Sequence, residues 1–407
     1  TLNINNSAEM VCINNPQPMN IKKMNIKNPG RVRFENGGTH NIAEGIHFET
    51  GGRLGIWNTT ISAGAGVNVG AGVVGEIFTE NGTGYVAGPV TVEGTLRASS
   101  GTTHFQGAIT NRGEFAAIGG ETYVDATATV VNEGNPLNTV SSTERLYADK
   151  IEGDMRMAVS GSAYCWMGGG DQDWGDSALD VSLTGGGSFV FGRNDDYKGF
   201  PKFGKDKLHV TVANGHTGTF FLFSGGSAAL DGLDITGPLG TFAAQGPNQT
   251  DGTRAIPEVR VDNLKVTASK FTLGNNNGRN ELTLAGENTD VTATSLAVDE
   301  QYNRDTWGTL RVMDGIFAIG TGGITTSWLL PDRPMATFEG GTLKAAGDFT
   351  LKAPGMNISF GTPKGGSAVV LDLNGHNVTL PTGLNGGSDV TVKGAGTFGP
   401  SRAGIQG

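Results

Sequence analysis

The sequence predicts an all-β chain, and three observations carry that prediction. Glycine makes up 67 of 407 residues, about twice its ordinary share of roughly 7%. Short runs of alternating apolar and polar residues recur along the chain, the pattern of strands with one face buried. No segment of useful length shows the 3.6-residue period of an amphipathic helix. Glycine without a Gly-X-Y period, and with only 15 prolines, excludes collagen. Its role here is to let tight corners take positive φ between short strands.

The C-terminal half shows the elements most plainly. "GTLRVMDGIFAIGTGGITT" (308–326) is followed by "ATFEGGTLKAAGDFTLKA" (336–353), "VVLDLNGHNVTL" (369–380) and "DVTVKGAGTF" (389–398). Each holds runs of about four residues with period 2, such as Leu310 and Val312, then Phe317 and Ile319. The separators, Asp314-Gly315, Gly340-Gly341, Gly347-Asp348 and Asn374-Gly375, would also suit β-hairpins. Hairpins stacked in a sandwich or barrel therefore compete with a parallel β-helix, in which each strand-corner-strand unit is one coil. The coil is favoured because the theme continues for hundreds of residues without closing and recurs at solenoid scale. The corners "GGTL" (340–343), "EGTL" (93–96) and "WGTL" (307–310) also reuse one design.

These stretches resemble the autotransporter-associated β-strand repeats of long bacterial surface and secreted proteins with pectin-lyase-like passengers. The resemblance covers about 260–407 and extends loosely over 30–150. It implies a right-handed parallel β-helix and an extracellular or cell-surface location. No membrane barrel of alternating ten-residue strands is visible in the sequence, nor any apolar run long enough to span a bilayer as a helix. The opening "TLNINNSAEM" lacks the features of a signal peptide. Coils of about 20–22 residues would number about 19 and stack about 90 Å high at the strand spacing. Residues 1–31 differ from the repeats and are expected to form a cap or assembly segment. The solenoid would then occupy 32–407, with a loop-rich, irregular section at about 163–257.

Charge narrows the function. A formal net charge of −10 without a basic stripe argues against nucleic acid. Cys12 and Cys165 form no metal motif. About seven coils, or roughly 35 Å, would separate them in a straight solenoid, whereas a disulfide needs Cα atoms within about 7 Å. They are read as free thiols or as partners in a bridge between molecules.

The section from 163 to 205 holds the chemically richest residues. In "GGGDQDWGD" (168–176), Asp171, Asp173 and Asp176 are candidate ligands for calcium, the one cofactor the sequence suggests. Gly175 breaks the EF-hand pattern at its fifth position, and the calcium-binding nonapeptide is not repeated in tandem. A solvated acidic loop is the competing reading. Trp166, Trp174 and Tyr197 are candidate ligand-binding aromatics, able to stack on sugars, with loop anchoring as the alternative.

An enzyme of the polysaccharide lyase or hydrolase kind would need carboxyl groups facing one another across the sugar. Asn288-Thr289-Asp290 and Asp195-Asp196 stand in the wrong order for the polygalacturonase pattern, whose Gly-His-Gly and Arg-Ile-Lys elements are missing. The six histidines suit no metal spacing, and no nucleophile elbow is present. No catalytic residue is assigned. The sequence is therefore read as a non-catalytic extracellular scaffold, an adhesin-like rod or a filament subunit associating with its own copies. A glycan- or host-surface-binding module working through 163–205 is the alternative.

Overall fold

The structure is a computed structural model. It describes residues 1–5, 9–14, 17–80, 82–125, 128–134, 136–141, 145–148, 151–167, 174–192, 204–223, 228–245, 258–273, 280–298, 308–326, 336–350, 358–360, 368–380 and 390–400. Every regular element among these residues is a β-strand, and no helix long and apolar enough to cross a membrane occurs among them. The strands stack in parallel as a β-solenoid rather than pairing as hairpins. The chain divides into two units, the first comprising Thr1–Gly168 with Trp174–Phe189, and the second continuing from Val190.

In the first unit each turn contributes three strands. One column begins with Leu2–Ile4, Met24–Ile26, Ile46–Phe48 and Val67–Val69, and continues through Val90–Val92, Ile109–Asn111 and Val130–Asn132. A second runs from Glu9–Ile13 through Arg31–Glu35 to Met155–Val159, and a third from Asn20–Ile21 through Thr39–Ile42 to Tyr164–Met167. Turn length varies only slightly along the first column, from the longest turn, which carries Val67 to Val90, to the shortest, which carries Val90 to Ile109. The 1–31 segment, expected to be a cap or assembly segment, carries strands that pair with the turn that follows. Met24 pairs with Leu2, and Arg31 pairs with Glu9.

Burial alternates as the sequence pattern requires. Ile26, Phe48, Val69 and Val92 follow one another up the inside of the first column and are essentially inaccessible. The same column then turns polar. Asn111 replaces the aliphatic residue and donates its side-chain amide to Asn138 at 3.1 Å, deep in the core. Corners repeat as well: Asn14, Asn36 and Asn58 all adopt left-handed backbone, which asparagine tolerates better than most residues, and Asn58 donates to Asn36 at 3.1 Å. At Gly101 and Gly120, both of positive φ, a Cβ would overlap the carbonyl oxygens of Thr79 and Gly101 on the preceding turn.

The second unit is also a parallel stack, but its turns are longer. Along its six-stranded sheet, one turn carries the chain from Ala228 to Val259, and a much shorter one carries it from Ala336 to Ile358. The expectation of uniform coils of about 20–22 residues, and hence about nineteen of them, is corrected here. Added length between strands enlarges the turns, so the chain makes fewer. The section expected to be irregular also carries regular strands, including Leu179–Leu183, Leu208–Val212, Thr219–Phe223 and Asp234–Gln245. Residues 168–173, 193–203, 224–227 and 246–257 of that section lie outside the described residues.

Phenylalanines stack through the second core. Phe242 lies 5.9 Å from Phe220 and 4.7 Å from Phe271, centroid to centroid, and Phe271 meets Phe317 edge-on at 5.3 Å. Phe242→Ala would remove the middle ring, leave a cavity and break two aromatic contacts. It is expected to cost about 3–5 kcal/mol, read as a lower denaturant midpoint for the second unit. Asn138→Leu tests the polar step in the first core. Stranding the Asn111 amide should cost about 1–3 kcal/mol, despite the greater apolarity of the substitute.

Candidate functional site

The outward side chains form two kinds of arrangement: ladders that link successive turns, and a polar groove. The clearest ladder lies on the third column of the first unit. In-register pairing places Tyr85, His104, Tyr123, Tyr147 and Trp166 above one another. Ring centroids are 5.0 Å apart for Tyr85 and His104, 4.6 Å for His104 and Tyr123, and 4.4 Å for Tyr123 and Tyr147. His104 Nδ1 lies 2.7 Å from Asp125, and the Tyr123 hydroxyl donates to Glu121 at 3.1 Å. Burial, followed by the neighbouring Tyr147 and Glu121, raises the Tyr123 phenol well above its usual range. The faces of His104 and Tyr123 are covered by their neighbours and present no open surface to a sugar ring.

Of the three aromatics proposed for ligands, Trp166 therefore takes a backbone position in this ladder, while its side chain lies outside the described residues. Trp174 is only 4% exposed. That burial removes it from the surface and agrees with the alternative of an anchoring residue. Tyr197 lies outside the described residues, as do Asp171 and Asp173 of the proposed calcium loop; Asp176 is exposed. Among the described residues no three His, Cys, Asp or Glu side chains converge as a metal cluster.

Cys12 and Cys165 are both free. Seven strand pairings separate their turns in the first unit, about 34 Å at the strand spacing. Cys165 is fully buried, and burial pushes its thiol far up. Of the two readings, free thiols or a bridge between molecules, the first holds for Cys165, whose buried sulfur has no access to a second chain. Cys12 is half-buried.

Two of the scattered histidines are structural. His40 is buried against Phe34, with ring centroids 5.0 Å apart, and its Nδ1 accepts the Met19 amide at 3.2 Å. His216 is buried too and accepts the Gly240 amide at 3.3 Å.

The second unit carries the groove, of about 440 Å³, lined by Lys205, Asp206, His209, Asp234, Lys265 and Asn288 and by two corner residues. Its spine is a column of outward residues. His209 pairs with Asp234, Asp234 with Lys265, and Lys265 with Asp290. Asp206 and Asn263 turn the corner with left-handed backbone, and Gly232 between them has φ +81°. A Cβ on Gly232 would overlap the Asp206 side chain, so glycine preserves the floor. Scattered across 205–288, these residues form no motif in the sequence.

Burial of His40 and of Cys165 can each be tested. Desolvation lowers the pKa of His40 below its ordinary value of 6.5, so the unfolded chain takes up a proton that the folded chain resists. This contribution to stability is complete above about pH 6.5 and is lost as pH falls toward the folded pKa. His40→Gln should flatten the loss of stability between pH 7 and 5, measured by denaturant melts; an unchanged slope would exclude this role. Native protein treated with a maleimide should be labelled at Cys12 ahead of Cys165, because reaction requires an accessible thiolate. Equal labelling by mass spectrometry would contradict the burial of Cys165.

Comparison with family models, with curated proteins and with solved structures found no match to this chain.

Proposed function

We propose that this chain is a non-catalytic extracellular or cell-surface structural protein, an adhesin-like rod or filament subunit whose work is to supply a stiff β-solenoid scaffold. One observation carries the reading: charged and aromatic side chains on the outer faces link one turn to the next. Arg112 reaches Glu93 on the preceding turn at 3.4 Å and Glu133 on the following turn at 2.7 Å. Arg311 does the same between Glu281 at 2.9 Å and Glu339 at 2.8 Å. The Phe78 ring lies 4.5 Å from the guanidinium groups of both Arg31 and Arg53. The Tyr85–Tyr147 stack couples four turns in the same way.

Single exposed ion pairs contribute only about 0–1 kcal/mol. Repeated between turns and combined with a continuous core, they resist local opening at every level of the stack. The resemblance to autotransporter-associated repeats favours export, and the acidic, sparsely charged composition suits a scaffold better than a nucleic-acid reader.

Negative-stain images of the purified chain over a range of concentrations test the reading. Narrow rods or filaments of uniform width are expected, with end-to-end assembly lengthening them. The scaffold reading fails if incubation with acidic polysaccharides releases unsaturated or reducing-end products at a rate that scales with protein concentration. Compact particles at every concentration would also overturn it.

A further inference from the structure

The groove of the second unit contrasts with the ladders described above. There, outward polar side chains bridge neighbouring turns, as His104 does with Asp125 and Arg311 with Glu281 and Glu339. Among the described residues, the side chains of Asp206, His209, Lys265 and Asn288 make no hydrogen bond or ion pair, although opposite charges stand on adjacent strands of the column. Asp234 accepts only a long bond from Thr236 at 3.5 Å, and the Lys205 ammonium lies 3.7 Å from Asp231. Groups that could satisfy one another instead surround an open space.

The lining identifies the chemistry of an occupant. Two ammonium groups, Lys205 and Lys265, balance two carboxylates, Asp206 and Asp234. A phosphate or other anion would need surplus positive charge, and a divalent cation would need several converging oxygen ligands. The lining contains no Phe, Tyr, Trp or large aliphatic side chain, so an apolar ligand has little to pack against. What fits is a neutral molecule that both donates and accepts hydrogen bonds around its perimeter. Sugar hydroxyls do this: carboxylates accept from them, while ammonium groups and the Asn288 amide donate to them. The groove's 440 Å³ falls in the range of about 300–1,000 Å³ usual for small-molecule sites. Its polar groups succeed one another at about the 4.8 Å strand spacing, and its open side leaves room for a glycan chain to continue.

We propose that this groove binds a neutral saccharide unit of a surface glycan, with Asp234 and Lys265 as its central contacts and Asp206, His209 and Asn288 at its edges. The site uses none of the aromatics proposed in 163–205 and stands whether or not the chain forms filaments. Binding through hydrogen bonds without an aromatic platform is expected to be weak, with Kd on the order of 0.1–10 mM.

Saturation-transfer NMR and calorimetry on the full chain, with maltose, cellobiose, lactose and diacetylchitobiose, provide the test. Inorganic phosphate, calcium chloride and glycine serve as the anionic, cationic and zwitterionic probes. Saturable binding of at least one neutral disaccharide is expected, weakened about tenfold or more in the Asp234→Asn/Lys265→Met double variant with its melting profile retained. Asn288→Trp, which fills the groove while leaving both central contacts, should also abolish binding. The proposal is overturned if no neutral saccharide binds, if only a charged probe binds, or if these folded variants bind as well as the parent. Loss of saccharide binding with rods or filaments intact would separate this site from the scaffold function; loss of filaments alone would leave it standing.

Discussion

Everything in this molecule depends on parallel, in-register strand pairing at a spacing of about 4.8 Å. Each side chain has a neighbour from the next turn directly above it, so a residue is selected by its column as well as by its own strand. Inside, this favours columns of Ile, Val and Phe, because apolar groups of similar shape stack without polar loss. The Phe220–Phe242–Phe271 run and the Ile26–Phe48–Val69–Val92 run are direct products of that constraint. The polar step at Asn111 is made with a partner, which spares about 1–3 kcal/mol, whereas Asn132, next in the column, is buried with neither side-chain amide atom hydrogen-bonded among the described residues.

Outside, the same constraint becomes electrostatic. Like charges held one strand apart repel by roughly 1 kcal/mol even in water, so a column must alternate sign, bridge the repulsion or interpose something neutral. Arg112 between two glutamates and Arg311 between two others illustrate alternation. Arg31 and Arg53 are adjacent and alike. Phe78 lies across both guanidinium groups, Glu9 and Glu80 face Arg31, and Glu76 faces Arg53. The column is therefore tolerable only with partners drawn from the turns on either side. Tyr satisfies the rule differently, since a stacked phenol ring brings no net charge and covers its neighbour's face.

This division explains what could be read from the sequence. Period-2 alternation and glycine corners are local signals, and they announced strands and coils at Leu310–Val312 and Phe317–Ile319. Column membership is not local. Tyr85, His104 and Tyr123 are evenly spaced and Trp166 follows Tyr147 by the same interval, but the longer step from Tyr123 to Tyr147 interrupts the period and the change of residue type along the column obscures it. Turn length escaped for the same reason. One coil size is the sequence-based expectation for the whole chain, whereas the whole span from Ala228 to Val259 is absorbed within one level of the stack. Trp174 drew attention by its acidic neighbours, yet a large apolar ring beside a corner is more readily held inside than displayed.

A solenoid that ties its outer faces together gains stiffness but gives up adhesive chemistry, because a side chain bridging two turns is unavailable to anything else. The proposed saccharide site accordingly uses a column whose bridges are left incomplete. Asp234, Lys265 and Asp290 obey the rule in sign, but Lys265 closes no ion pair with either carboxylate neighbour among the described residues. Closing such exposed pairs would return at most about 1 kcal/mol each, a small sacrifice of stability against a core of stacked phenylalanines. A scaffold can therefore keep one polar column open at little cost, provided the turns beneath it are held from within, as they are here by Phe220, Phe242 and Phe271.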